Sequence, residues 1–177
     1  CLCGAGGFSI ARKAVEVLRP GDAPPERGEF ILISSRDHTV SDVIAFVLGC
    51  VRRSDPERNQ YFIDASIAAP RREYHYYVAY VPAKAAVHVV YRKHLLVGHE
   101  EMDRLWAIEL AFERDPAAAK SADVQRYRRA MVDMVRNVLF DRTPGLITIE
   151  PVDYDAFGAR LDSLRQRLGA PGAGDTG

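Results

Sequence analysis

Phe30-Ile31-Leu32-Ile33 is an unbroken apolar run, and this stretch decides the fold class of the chain. An apolar run of this length predicts a strand buried on both faces, as in a sheet covered by helices. The polar segment at residues 34–39 follows it. Thr39, with Asp42 three residues later, resembles a capping box that begins a helix, and apolar residues then recur at helical spacing. The domain therefore begins with a strand followed by a helix.

The same alternation continues along the chain. Apolar runs predict strands near residues 30–34, 60–64, 86–91 and 146–149, and helical stripes predict helices near 40–53, 101–114, 122–139 and 154–168. The tyrosine-rich residues 73–81 fit either a helix or an irregular segment. Strands that alternate with helices favour an α/β domain with a parallel sheet and helices on both faces.

The distribution of Pro and Gly divides the chain into three segments. Residues 1–28 are expected to be an N-terminal lead-in with a short helix near 8–18, followed by a Pro/Gly linker. Residues 29–168 form the α/β domain. The Gly-rich residues 169–177 are expected to be a disordered tail.

Composition narrows the class of protein. The 177 residues carry 24 basic and 24 acidic side chains, so no basic excess favours nucleic acid as a partner. No apolar run approaches the roughly 18 residues that cross a bilayer. Three cysteines without a disulfide framework indicate a reducing compartment and cytoplasmic localisation. The five histidines match no metal-binding motif, so we expect no metal and no bound cofactor.

Three segments resemble the boxes of the Toll/interleukin-1 receptor (TIR) family. They are Phe30-Ile31-Leu32-Ile33-Ser34-Ser35-Arg36-Asp37, Phe62-Ile63-Asp64-Ala65-Ser66-Ile67-Ala68-Ala69-Pro70 and Leu105-Trp106-Ala107-Ile108-Glu109-Leu110. The second ends in the loop, residues 65–73, that corresponds to the family's BB loop. The resemblance covers about residues 29–114 and implies a flavodoxin-like parallel sheet.

The resemblance also implies a function. Some TIR domains cleave NAD at the bond between nicotinamide and ribose, and Glu109 matches the glutamate that they need for this reaction. NAD is then a substrate rather than a cofactor. The residues expected to contact the nucleotide are Ser34, Ser35, Arg36, Asp64 and Trp106. TIR-like domains also bind one another, so homotypic partners and a homo-oligomer are expected.

Several of these residues have a second, structural interpretation. Glu109 falls within an apolar arc of its helix, where it is either catalytic or paired with a basic side chain. Ser34 and Ser35 either meet a nucleotide or satisfy backbone groups in a turn. His88, inside an apolar run, fits a satisfied core position. The whole domain is therefore either an NAD-cleaving signalling domain, a non-catalytic self-associating module, or a structural subunit of a larger assembly.

Overall fold

The computed structural model describes residues 1–19, 26–37, 39–117 and 121–169. The helices in these ranges are α1 (Leu2–Leu18), α2 (Val40–Leu48), α3 (Gly98–Arg114), α4 (Ser121–Leu139) and α5 (Tyr154–Gly169). The strands are β1 (Phe30–Ser34), β2 (Tyr61–Ile63), β3 (Glu73–Tyr80), β4 (Ala85–Arg92) and β5 (Ile147–Val152), and Lys93–Leu96 form a 3-10 turn. The predicted helices near 101–114, 122–139 and 154–168 correspond to α3, α4 and α5.

The strands form a mixed sheet in the order β2-β1-β3-β4-β5. The expected α/β class is confirmed. The expectation of a parallel sheet is wrong for most of the strands: β1 and β2 are parallel, whereas β1–β3, β3–β4 and β4–β5 are antiparallel. The physical reason lies in the connections. Residues 81–84 join β3 to β4 directly, and so short a turn can link only antiparallel neighbours, since a parallel pair needs a crossover of a dozen or more residues.

The tyrosine-rich residues 73–81 were expected to be a helix or an irregular segment, and this expectation is wrong, because Glu73–Tyr80 form a strand. β3 lies at the centre of the sheet and pairs with both β1 and β4. Its alternate residues Tyr76, Val78 and Tyr80 are buried on one face, with the period of two that a strand requires. The tyrosines therefore pack on the sheet instead of forming a helix.

Helices cover both faces of the sheet, as predicted. The first face, called the α1 face here, packs against α1, α2, α3 and α4. The opposite α5 face packs against α5 through Phe157, Leu161 and Leu164. The two layers give the molecule two apolar cores separated by the sheet.

The N-terminal residues belong to the α1 core. Helix α1 spans Leu2–Leu18, and its Ile10, Ala11 and Ala14 are fully buried. Helix α1 is therefore part of the domain and not a lead-in outside it, because it packs against the sheet and α2. Residues 20–25 of the linker expected at 19–28, and residues 170–177 of the tail expected at 169–177, lie outside the described residues.

Helix α2 begins and ends differently from the prediction. Thr39 adopts a left-handed backbone conformation and makes no capping hydrogen bond, and the carboxylate of Asp37 accepts the Ser41 N–H instead, at 2.8 Å. Gly49, with φ of 71°, ends the helix, so α2 stops short of residue 53.

Candidate functional site

The carboxyl ends of β1 and β2 lie side by side because these two strands are parallel. The Asp64 N–H donates to the Ser34 carbonyl at 2.8 Å, which fixes the two strand ends together. Three of the residues expected to contact a nucleotide, Ser34, Ser35 and Asp64, thus lie at one edge of the sheet. Ligands of α/β proteins bind at such edges.

The two serine hydroxyls are held by internal hydrogen bonds. Ser34 Oγ donates to the Ser35 carbonyl at 2.6 Å, and Ser35 Oγ accepts a hydrogen bond from the backbone N–H of His75 at 3.0 Å. Both serines are buried, and the Ser35 hydroxyl joins the end of β1 to β3. Arg36, directly after them, is exposed.

Asp64 is the most heavily bonded of the predicted residues. It is only 2% exposed, and its carboxylate accepts hydrogen bonds from Ser66 N–H (3.1 Å), Ser66 Oγ (2.6 Å), Arg160 Nη1 (2.8 Å) and Arg167 Nη2 (3.3 Å). Burial by itself would raise the pKa of this carboxyl, but the bonds from Ser66 and Arg160 outweigh it and lower the pKa below the usual value. Asp64 is therefore an ionised group that ties α5 to the end of β2.

A cleft of about 620 Å³ opens beside Asp64. We call it the edge cleft, because it lies between the edge strand β2, the loop after α2 and the last turn of α5. Its lining residues are Arg52, Arg53, Asn59, Tyr61, Phe62, Ile63, Asp64, Ala65, Ser66, Leu164, Arg167 and Leu168.

The edge cleft combines positive charge with an apolar floor. Arg52, Arg53 and Arg167 contribute cations against the single carboxylate of Asp64. The Arg52 guanidinium lies 4.7 Å from the centre of the Tyr61 ring, a cation–π contact between two residues that line the cleft. The arrangement suits an anion with an apolar or aromatic part.

Sequence reasoning found Asp64 but missed the arginines around it. Arg160 and Arg167 are seven residues apart in α5, a spacing that places both on one helix face. That spacing was the available signal. The sequence did not show which residue the two arginines contact, because no local pattern shows that α5 packs beside β2.

Glu109 and Trp106 lie in a different layer from Asp64. Their helix, α3, packs into the α1 face through Met102 and Leu105, whereas the arginines on Asp64 come from α5 on the opposite face. Glu109 is half-buried and accepts a hydrogen bond from the Tyr127 hydroxyl at 2.6 Å. Trp106 is 57% exposed. The structure therefore does not bring Glu109 together with Ser34, Ser35 and Asp64.

Comparison with known proteins supplies no further assignment. No family model matches the chain, and neither a curated protein nor a solved structure is significantly similar to it. Across the described ranges, no helix is both long and apolar enough to cross a membrane. Within those same ranges, no three His, Cys, Asp or Glu side chains are grouped so as to hold a metal ion.

Proposed function

We propose that this protein is a binding domain for a small anionic ligand of the nucleotide class, which it takes up in the edge cleft. The observation that carries the proposal is the convergence of Arg52, Arg53 and Arg167 around a cleft with an apolar floor. The volume of about 620 Å³ falls within the range of pockets that hold small ligands.

The arginines differ in how free they are to meet a ligand. Arg160 is held firmly by Asp64 at 2.8 Å, whereas Arg167 is longer bonded, at 3.3 Å, and half exposed. A phosphate bound by the fork of Arg167 would gain two charge-assisted hydrogen bonds, while Arg160 alone keeps Asp64 paired. Arg167 and Arg53 are thus the residues proposed to bind the anion.

NAD is the first nucleotide to test, because the segments at residues 30–37 and 62–70 resemble TIR boxes. Cleavage of its nicotinamide–ribose bond is a separate proposal that rests on Glu109. A carboxylate close to the ribose would stabilise the positive charge that develops there as the bond breaks. Since Glu109 and the edge cleft lie in different layers, binding and cleavage are measured separately.

Isothermal titration of the protein with NAD, ADP and inorganic phosphate tests the binding proposal. Arg53→Gln and Arg167→Gln are each expected to weaken nucleotide binding about tenfold or more, the loss of one charge-assisted contact. Arg128→Gln, on the exposed side of α4, is the matched control and leaves binding unchanged. Equal affinity of all three variants and the parent chain would exclude the edge cleft.

Chromatography of nicotinamide tests the cleavage proposal. The protein is incubated with NAD at several concentrations, and release of nicotinamide that disappears in Glu109→Gln supports a catalytic role. Tyr127→Phe is the control for packing, because it removes the hydrogen bond to Glu109 and keeps the carboxylate. Binding of NAD without release of nicotinamide contradicts the cleavage proposal and leaves a non-catalytic module.

Self-association is a second candidate function, and exposed apolar side chains favour it. Trp106 and Phe112 on α3 are both exposed, and tryptophan is the residue type most enriched at interface hot spots. In the loop predicted for association, Pro70 is exposed, but Ile67 packs against the core of the α5 face. Light scattering therefore compares Trp106→Ala with Pro70→His, and a change in assembly in neither variant contradicts association through these surfaces.

A further inference from the structure

A row of titratable side chains crosses three antiparallel strands on the α5 face, away from the edge cleft. His75 Nδ1 on β3 lies 2.9 Å from His88 Nε2 on β4, and His88 Nδ1 lies 3.0 Å from Glu150 Oε1 on β5. At the other end, His75 Nε2 lies 3.3 Å from Glu73 Oε1, without the alignment of a hydrogen bond. The two imidazole rings are stacked, and Tyr77 stacks on His88.

Hydrogen-bond chemistry fixes the position of each proton in this row. The ionised Glu150 carboxylate can only accept, so His88 Nδ1 carries a proton. Neutral His88 then has a lone pair on Nε2, and His75 Nδ1 must donate to it. Neutral His75 is left with a lone pair on Nε2, which is buried, has no hydrogen-bond partner and faces the Glu73 carboxylate.

This arrangement can accept one further proton without breaking a bond. A proton added at His75 Nε2 becomes a donor toward Glu73 Oε1, and the proton between the two rings can reside on either of them. A second added proton would place N–H groups on both sides of the His75–His88 contact and destroy it. The geometry therefore favours uptake of one proton by the pair and disfavours a second.

We propose that Glu73, His75, His88 and Glu150 form a pH-sensitive proton relay that takes up a single proton, at His75 Nε2. The proposal is independent of the nucleotide site. In the protonated relay, one imidazolium cation lies between the carboxylates of Glu73 and Glu150. The row of side chains then connects β3, β4 and β5.

The groups that face His75 set the pH at which the relay charges. Burial disfavours the imidazolium and is the main reason that the pKa of His75 is lowered, and His88 and Arg92 on β4 act in the same direction. Glu73 opposes them. Tyr77 on β3, Glu150 on β5 and Arg160 of α5, whose guanidinium lies over the Tyr77 ring at 4.9 Å, complete the surroundings. His75 is therefore neutral at neutral pH and takes up its proton on acidification.

Nuclear magnetic resonance of the histidine rings tests the proposal. Long-range proton–nitrogen spectra at about pH 7.5, where unperturbed histidines are neutral, are expected to show Nδ1–H tautomers for both His75 and His88. On acidification His75 is expected to take up one proton at Nε2, with a pKa below the ordinary value of 6.5. Nε2–H tautomers, or two rings that titrate independently to full charge while the sheet stays intact, would overturn the relay.

Two variants change the relay in predicted directions. Glu73→Gln removes the carboxylate that favours protonated His75, so the pKa of His75 is expected to fall further. Glu150→Gln removes the fixed acceptor, and His88 is expected to lose its single tautomer. Glu16→Gln, on the exposed side of α1, is the control and leaves both signals unchanged. An unchanged pKa of His75 in Glu73→Gln, with the fold retained, would contradict uptake at Nε2.

Discussion

The buried carboxylate of Asp64 helps to hold the whole of helix α5 in position. It is almost fully buried, and four donors compensate for its lost hydration, two from Ser66 and one each from Arg160 and Arg167. Because Ser66 is local and the arginines come from α5, the same carboxylate shapes the loop after β2 and holds α5 in place. The predicted ligand-contacting residue is thus also a structural one.

Replacement of Asp64 is expected to destabilise the fold. Asp64→Ala removes the acceptor of these bonds, and the expected loss in free energy of unfolding is about 2 kcal/mol, the usual size for a hydrogen bond to a charged group. Urea unfolding followed by circular dichroism measures it. Asp55→Ala, at an exposed position in the loop after α2, is the control, and an equal loss in both variants would contradict the structural role of Asp64.

At the scale of elements, α1 and α2 approach each other closely at a glycine. A Cβ atom at Gly7 would lie 2.6 Å from Val43 Cβ and 2.8 Å from the Val40 carbonyl oxygen. The contact with backbone leaves little room to adjust, so Gly7 is required for the packing of these two helices. Gly158 in α5 has open space instead.

The pair of glycines gives a matched prediction. Gly7→Ala is expected to lower the free energy of unfolding by about 1–3 kcal/mol through overpacking. Gly158→Ala is expected to raise it by up to about 1 kcal/mol, because alanine favours the helix and nothing lies near the new methyl group. Thermal unfolding of both variants measures the difference, and a stabilised Gly7→Ala protein would show that α1 does not pack against α2 in this way.

For the whole molecule, pH acts on stability through the relay and through Asp64. The pKa of His75 is lowered from its ordinary value of 6.5 in the folded protein. The unfolded chain therefore binds the proton more tightly, and stability is complete above pH 6.5 and falls as the pH drops from 6.5 toward the folded pKa. The lowered pKa of Asp64 gives stability that is present above 3.8 and is lost as the pH falls through its folded pKa.

The expected result is a decline of stability in two separate ranges of pH. Chemical unfolding measured from neutral to acidic pH should show a first loss below about 6.5, where histidine titrates, and a second in the range of carboxylates. His75→Gln should remove the first loss and Asp64→Asn should reduce the second, to which Asp103, beside Arg71 and Arg72 and with a lowered pKa, also contributes. A stability that rises as the pH falls below 6.5 would contradict the depressed pKa of His75.

The sequence alone determined the elements whose signals are local. Apolar runs located β1, β2 and β4, and helical periodicity located α2 to α5, because burial on one or both faces leaves its period in the chain. The positions of Ser34, Ser35 and Asp64 after their strands followed from the same signals.

The tertiary structure decided what depends on non-local contacts. Three features depend on which distant segments of the chain pack together, and no local sequence pattern shows this. They are the direction of β5, the central position of β3 and the packing of α1 into the core. The edge cleft and the relay are further examples, since Arg52 and Arg167 lie on opposite sides of β2 in sequence, and His75, His88 and Glu150 meet only when three strands align. The sequence shows which charged and titratable side chains are present, but only the folded sheet brings these side chains next to one another.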